Sequence, residues 1–226
     1  MGKTILTPKQ LNFLELAQAQ TSIVRNFYLT GGTALSEFYF KHRLSEDIDL
    51  FSEKEVKPTP VRAFLEGISD KLGISRVTEE NYLGLYTYKL LFRDGDTLKV
   101  DFSYYPFPQI EKGTKFGNLE VSSMYDIAVN KLHTISQRFQ SRDYVDLYFI
   151  FNKTEYSPQK YLERMRLDSQ AKFDWPLEAK NLVAAFLKVK DIKRSELPHM
   201  LVPFDKKDMD EFFVKLAKSL EKDIFK

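Results

Sequence analysis

Residues 28–51 read YLTGGTALSEFYFKHRLSEDIDLF, and this stretch decides the fold. Its first part predicts a short apolar strand over residues 27–30, which Gly31 and Gly32 end. The same glycines precede a predicted helix over residues 34–42. Because the first N–H groups of a helix lack intrahelical partners, a bare glycine turn at this point predicts an anion site.

The second part of the stretch predicts a strand with paired acids. Side chains on a strand alternate between its faces, so Asp47 and Asp49 point to one side while Ile48 and Leu50 enter a core. Two neighbouring carboxylates repel each other unless they share a cation. Oxygen ligands at this density suit Mg²⁺ or Mn²⁺. The sequence therefore predicts a metal site beside the anion site.

A later hairpin offers a third acid. Residues 85–92 and 98–104 read as partner strands joined by an Asp-Gly-Asp turn at residues 94–96. On the returning strand Lys99 and Asp101 share one face, opposite Val100 and Phe102. Taken alone, a polar residue on a half-exposed strand is most often structural. Together with the paired acids, Asp101 becomes the candidate third carboxylate.

The run Gly-Gly-Thr-Ala-Leu, then Tyr39, then His-Arg-x-Ser-x-Asp-Ile-Asp-Leu-Phe ending at Phe51 resembles the signature of the AbiEii/AbiGii toxin family. These are members of the nucleotidyltransferase superfamily with the polymerase-β-like fold. Many nucleotidyltransferases have Gly-Ser where this chain has Gly-Gly, and Thr33 is the hydroxyl nearest to that position. The resemblance implies catalytic and metal-binding roles for Asp47, Asp49 and Asp101. It implies nucleotide-binding roles for Gly31, Gly32, Thr33, Arg43, Ser45 and Lys131.

A second motif lies in the helical half of the chain. Lys131, Arg138 and Arg142 recur at helical spacing, so one helix reaching residue 140 and beyond would align them as a cationic face for a triphosphate. A solvated charged face is the commoner structural reading. Asp146 is followed by apolar residues and needs a basic partner if it is buried. By resemblance to the family pattern, Lys131 and Asp146 are the functional pair, whereas Asp143 reads as a helix cap or a salt-bridge partner.

We predict the α+β fold class, with a polymerase-β-like mixed sheet flanked by helices and followed by a C-terminal α-helical half. The composition turns helical after the last predicted strand, over residues 116–121. We therefore predict a nucleotidyltransferase core over residues 1–121 and a helical domain over residues 122–226, which completes the active site with Lys131 and Asp146.

Composition narrows the class of protein. Hydrophobic residues make up 43% and charged residues 29% of the 226 residues, which is typical of a globular protein and excludes a disordered chain. The chain has no cysteine, so disulfides and thiolate metal sites are excluded. With 34 basic and 32 acidic residues, any surface for nucleic acid has to be local. No apolar run approaches the roughly 20 residues of a membrane helix, so we expect no membrane partner and a cytoplasmic location.

The resemblance implies a function: transfer of an NMP from an NTP to an acceptor hydroxyl, with Mg²⁺ or Mn²⁺ as cofactor and tRNA or another RNA as acceptor. It also implies the toxin component of a toxin–antitoxin or phage-defence (abortive infection) system, with a cognate antitoxin as partner. Two alternatives stay open. One is a transferase that modifies a small molecule such as an antibiotic, and the other is an inactive module that binds a nucleotide or a partner.

Overall fold

The computed structural model describes residues 4–224, and the side chains of residues 4–221. The chain divides into two compact units, residues 1–123 and 124–226. The first unit combines a sheet with helices, whereas the second unit contains helices and short 3₁₀ turns throughout its described part. The predicted α+β class, a mixed sheet with flanking helices followed by a helical half, is confirmed. The share of the active site that we assigned to the helical half stays a prediction.

The first unit is built on a seven-stranded sheet. Its elements are α1 (Pro8–Ala19), α2 (Thr21–Val24), β1 (Tyr28–Thr30), α3 (Gly31–Leu35), β2 (Ile48–Ser52), α4 (Pro58–Leu72), β3 (Ile74–Tyr82), β4 (Leu85–Phe92), β5 (Thr97–Tyr104), β6 (Thr114–Phe116) and β7 (Leu119–Val121). The strand order is β3-β4-β5-β2-β1-β7-β6. Strands β2 and β5 are parallel, as are β1 and β7, and the remaining neighbours are antiparallel. The two acid-bearing strands, β2 and β5, therefore lie side by side.

Helix α3 follows β1 directly and leads into a π-helical turn over Ser36–Phe40. The predicted helix over residues 34–42 was thus too late at both ends. It begins at Gly31, whose φ of 73° glycine adopts without strain, and it stops at Lys41 in the left-handed conformation. The Tyr39 hydroxyl donates a hydrogen bond of 2.7 Å to the backbone carbonyl of Ser122. The motif tyrosine therefore ties this helical segment to the residue after β7.

The predicted hairpin is confirmed in β4 and β5, with Gly95 in a positive-φ turn. Residues 74–82 form β3, which pairs with β4 and is exposed along most of its length. One other expectation needs correction. The single strand expected over residues 116–121 is a hairpin, β6 and β7, because Gly117 has a φ of 57° and reverses the chain.

The second unit consists of α5 (Met124–Gln137), α6 (Ser141–Lys153), α7 (Pro158–Phe173), α8 (Ala179–Leu187) and α9 (Lys206–Ile224), with short 3₁₀ turns between α8 and α9. Aromatic rings contribute to its core. Tyr144, Phe186 and Phe213 are fully buried, and the Phe213 ring contacts Tyr144 edge-on and Phe186 at a tilt. Helix α5 ends at Gln137, so Lys131, Arg138 and Arg142 do not lie along one helix, and the predicted cationic face is wrong. Among the described helices, none combines the length and the hydropathy that crossing a bilayer requires.

Candidate active site

Two of the predicted acids lie next to each other in the sheet. Asp49 on β2 is the register partner of Asp101 on the parallel strand β5. Directly paired residues project from the same face of a sheet, so both carboxylates share one face. Thr30 on β1 and Thr87 on β4 pair with Asp49 and Asp101 from the outer sides. A polar row of four residues therefore crosses the centre of the sheet.

Lys99 places a positive charge among these acids. Its Nζ lies 2.7 Å from Asp101 Oδ2 and 3.6 Å from Asp47 Oδ2. Burial by itself lowers the pKa of the Lys99 ammonium, but the hydrogen bond to Asp101 and the charges of Asp101, Asp47 and Asp49 outweigh it and raise this pKa overall. The ammonium stays charged at neutral pH. The structure thus gathers the predicted acids around a cation that belongs to the chain.

Thr87 fixes the orientation of Asp101. Its hydroxyl donates a hydrogen bond of 2.6 Å to Asp101 Oδ1. The other oxygen, Oδ2, is the one that accepts from Lys99. Because the Asp101 side chain is only 10% exposed, both of these contacts are largely shielded from water. Asp101 therefore presents one defined oxygen, Oδ2, toward Lys99.

The donor set suits a divalent cation. Within residues 4–221, no group of three or more His, Cys, Asp or Glu side chains is already gathered as a metal site. The chemistry of the set nevertheless fits, because carboxylates from β5 and from the Asp47-x-Asp49 segment surround one ammonium, which stands in for a cation. Carboxylate oxygens are the ligands that Mg²⁺ and Mn²⁺ prefer. Asp47, Asp49 and Asp101 are therefore the residues that could hold such an ion.

The glycine turn packs directly against the acids. A Cβ at Gly31 would overlap the Asp49 carboxylate, and a Cβ at Gly32 would overlap the Arg43 guanidinium and lie 3.0 Å from Ser45 Oγ. Any larger residue at these two positions would have to displace a charged side chain. The turn, an acid and a guanidinium therefore meet at one place.

The loop that leads into Asp47 is anchored by buried polar groups. The Thr33 hydroxyl, fully buried, donates to the backbone carbonyl of Asp47. Arg43 is 2% exposed and donates from Nη1 to the Leu44 carbonyl at 2.8 Å. Gln10 Nε2 donates to the Ser45 carbonyl at 2.7 Å. Residues around the motif thus hold the backbone that presents the first acid.

In the second unit, Lys131 and Asp146 form an ion pair. Lys131 Nζ lies 2.6 Å from Asp146 Oδ2 and 2.8 Å from Asp143 Oδ1. The two carboxylate side chains are 0% and 2% exposed. The expectation that a buried Asp146 takes a basic partner is confirmed, and Asp143 is a salt-bridge partner of the same lysine. Arg138 approaches Asp143 from a more exposed position, at 3.4 Å.

A family model described as "Nucleotidyl transferase AbiEii toxin, Type IV TA system" matches residues 16–220. The chain belongs to this family. The AbiEii resemblance deduced from the two motifs is therefore confirmed. The match also covers the last helices of the chain, for which no motif could be identified.

Individual proteins also match over most of the chain. An uncharacterised protein of Aquifex aeolicus (strain VF5) is 29% identical over 205 residues, which are 87% of this chain and 88% of that protein. A putative nucleotidyltransferase of Helicobacter pylori has a TM-score of 0.57 at 20% identity, covering 96% of this chain and 97% of its own. The nucleotidyltransferase toxin MenT4 of Mycobacterium tuberculosis has a TM-score of 0.60 at 16% identity, covering 93% and 82%. These structures confirm the nucleotidyltransferase fold.

Family and fold together identify this AbiEii protein as a nucleotidyltransferase of a toxin family. Membership in a type IV toxin–antitoxin family implies an NTP substrate and an antitoxin.

Three residues near the acids have contacts that the sequence alone did not predict: Lys99, Thr87 and Gln10. For Lys99 a signal was present, since it shares a strand face with Asp101. For Thr87 and Gln10 no local pattern indicates their partners, because these arise from strand pairing and from a contact across 35 residues.

Proposed function

We propose that this AbiEii nucleotidyltransferase moves an NMP from an NTP to a hydroxyl of RNA, with tRNA as the acceptor to test first. The acceptor oxygen bonds to the α-phosphorus, the bond from that phosphorus to the bridging oxygen breaks, the acceptor hydroxyl loses its proton to solvent, and pyrophosphate leaves. One observation carries the proposal. Asp49 and Asp101 lie in register on adjacent parallel strands, and Asp49 packs against the Gly31 turn.

We propose that Asp47, Asp49 and Asp101 hold Mg²⁺ or Mn²⁺. Held by these residues, a divalent ion would neutralise phosphate charge and would lower the pKa of an attacking hydroxyl. Support comes from the donor chemistry and from the ammonium that these acids already attract. Two threonines position the acids. Thr87 orients the Asp101 carboxylate, and Thr33 holds the Asp47 backbone.

The nucleotide-binding role belongs to the glycine turn and its neighbours. We propose that Gly31 and Gly32 bind phosphate through backbone N–H groups. Arg43 and Ser45, which pack against Gly32, shape the same turn. Because the Thr33 hydroxyl already donates to Asp47, the contribution of Thr33 comes from its place in the turn and not from a hydroxyl on phosphate.

For Lys131 and Asp146 we propose the role that the family resemblance implies. Lys131 offsets charge on the triphosphate, and Asp146 holds the lysine in place. The 2.6 Å ion pair supports the second half of this assignment. In the cell, we propose that the protein acts in the cytoplasm as the toxin of a phage-defence system of the abortive-infection type, opposed by a cognate antitoxin.

The test is a transfer assay with NTPs labelled at either the α- or the γ-phosphate. Each nucleotide is incubated with the full chain, Mg²⁺ and total tRNA, and the RNA is resolved by electrophoresis. We expect the α-label, and not the γ-label, to enter a discrete RNA species. The variant Asp49→Ala should lose transfer while keeping the fold, because it removes a proposed metal ligand without removing apolar core. Asp70→Ala is the matched control, since Asp70 is 98% exposed and pairs only loosely, at 3.1 Å, with Arg93.

Other outcomes would select other functions. Labelling of an aminoglycoside in place of RNA would identify a small-molecule transferase. Calorimetric binding of an NTP without any release of pyrophosphate would identify a nucleotide-binding module. Full transfer activity in Asp49→Ala would refute the assignment of the acids.

A further inference from the structure

Lys99 lies beside Asp47, Asp49 and Asp101, and no motif of the chain explains why a lysine occupies this position. Resting on the proposed metal dependence, we propose that Lys99 is a positioning residue that acts as an internal counter-cation. Its ammonium holds Asp47 and Asp101 together while the metal is absent, and it leaves them when a divalent cation binds. Metal and lysine therefore compete for the same carboxylates.

Three carboxyl groups surround Lys99. Asp47, Asp49 and Asp101 all lie close enough to act on its ammonium. Without a cation, their mutual repulsion opposes the packing of β2 beside β5. The distances of 2.7 Å and 3.6 Å from Lys99 Nζ to oxygens of Asp101 and Asp47 show that the ammonium links β5 to the residue just before β2.

Lys99 and a divalent ion would compete for one oxygen, Asp101 Oδ2. Lys99 donates to Asp101 Oδ2, whereas Oδ1 already accepts from Thr87. A divalent ion that shares Asp101 with Asp47 has to approach from the side where the ammonium lies. Because two cations that share one oxygen repel each other, a divalent ion bound at Asp101 Oδ2 weakens the contact of that oxygen with the ammonium.

The Lys99 side chain is able to move away from Asp101 and Asp47. Its side chain is 37% exposed, compared with 10% for the Asp101 side chain, and it ends a flexible four-carbon stem. Moving the ammonium into water opens no apolar cavity. The Lys99 ammonium can therefore move while the Asp101 backbone stays in the sheet.

A matched control lies on the next strand. Lys89 on β4 is the register partner of Lys99, but its ammonium is 2.8 Å from Glu80 Oε1 and its side chain is 53% exposed. Lys89→Met removes the same charge from the same region of the sheet without freeing an acid of the site. Comparing it with Lys99→Met separates direct competition from a general change in net charge.

The experiment is a Mn²⁺ titration of the full chain, followed by electron paramagnetic resonance of the free ion. We expect Lys99→Met and Lys99→Gln to bind Mn²⁺ about tenfold more tightly than the wild type, which corresponds to about 1.4 kcal/mol. Lys99→Arg keeps the positive charge and should bind no more tightly than the wild type. Lys89→Met should stay within about twofold, because exposed charges are strongly screened.

Thermal unfolding provides a second readout. In the presence of a metal chelator, Lys99→Met should unfold at a lower temperature than the wild type, since Asp47 and Asp101 then lack the Lys99 ammonium. Mn²⁺ should then raise the midpoint of this variant by more than that of the wild type. A purely structural lysine would lower the midpoint without tightening the binding of metal.

The Mn²⁺ titration distinguishes failure of the counter-cation role from failure of the proposed metal site. If the wild type binds Mn²⁺ and neither Lys99→Met nor Lys99→Gln binds it more tightly, the counter-cation role is overturned and the proposed metal site stands. If the wild type and both variants all fail to bind Mn²⁺, the proposed metal dependence falls, and this inference falls with it.

Discussion

The buried charges of the helical unit lead to a large predicted loss of stability. Lys131 lies 2.8 Å from Asp143 and 2.6 Å from Asp146, whose side chains are 2% and 0% exposed. Lys131→Met would keep most of the side-chain volume but leave both carboxylates without this ammonium. Removing one partner of a buried ion pair costs about 3–5 kcal/mol, because the remaining charge stays desolvated.

The expected shift in midpoint follows from the size of the unit. For a domain of roughly 100 residues, each kcal/mol lowers the unfolding midpoint by about 4–8 °C, so a loss near 4 kcal/mol corresponds to roughly 15–30 °C. Calorimetry at neutral pH measures this directly. Replacing Asp143 and Asp146 by Asn in the Lys131→Met background should restore part of the loss, because no unpaired charge then remains in the core.

The control for this prediction is Arg138→Met. Arg138 also contacts Asp143, but at 3.4 Å and with its own side chain 55% exposed. Its removal should cost less than about 1 kcal/mol, as for other exposed ion pairs. The reasoning would be refuted if Lys131→Met lost no more stability than Arg138→Met, since the lysine would then not be neutralising buried charge.

Other predictions concern the glycine turn and the half-buried His133. Gly31→Ala should abolish transfer and lower the free energy of unfolding by about 1–2 kcal/mol, since the φ of Gly31 is 73° and a Cβ there would overlap the Asp49 carboxylate. Gly67 lies in α4, and a Cβ at Gly67 would meet no atom within 4 Å. Gly67→Ala should therefore raise the free energy of unfolding, measured in urea, by about 0.5–1 kcal/mol. Burial lowers the pKa of His133 below 6.5, so this histidine contributes stability above that pH which is lost as the pH falls through its folded-state pKa. His133→Gln should therefore show a smaller drop in urea midpoint than the wild type between about pH 7.5 and about pH 5, while a variant of the exposed His199 should follow the wild type. An equal drop in the two variants would contradict the His133 assignment.

Features that depend on neighbouring residues were predictable from the sequence. The alternation that buries Ile48 and Leu50 fully and leaves Asp49 between them on the other face follows from strand geometry alone, although β2 begins at Ile48 and leaves Asp47 just before the strand. The β4–β5 hairpin follows from its Asp-Gly-Asp turn, and the Ser157 cap and Pro158 start of α7 follow from local helix rules. Errors arose where glycine conformation changed the chain direction, as at Gly117, because the residue type permits a positive φ without requiring one.

The partners of the acids were decided by the tertiary structure. Nothing local indicates that β2 lies parallel to β5, yet this pairing sets Asp49 beside Asp101 and brings Lys99 within 3.6 Å of Asp47. The same holds for Gln10, whose amide reaches the Ser45 carbonyl across 35 residues. The sequence by itself thus determined which side chains are available and which face of its own strand each one occupies, since these depend on backbone geometry over a few residues. Which charges meet depends on strand order and register, which are properties of the whole sheet, so only the folded chain decides them.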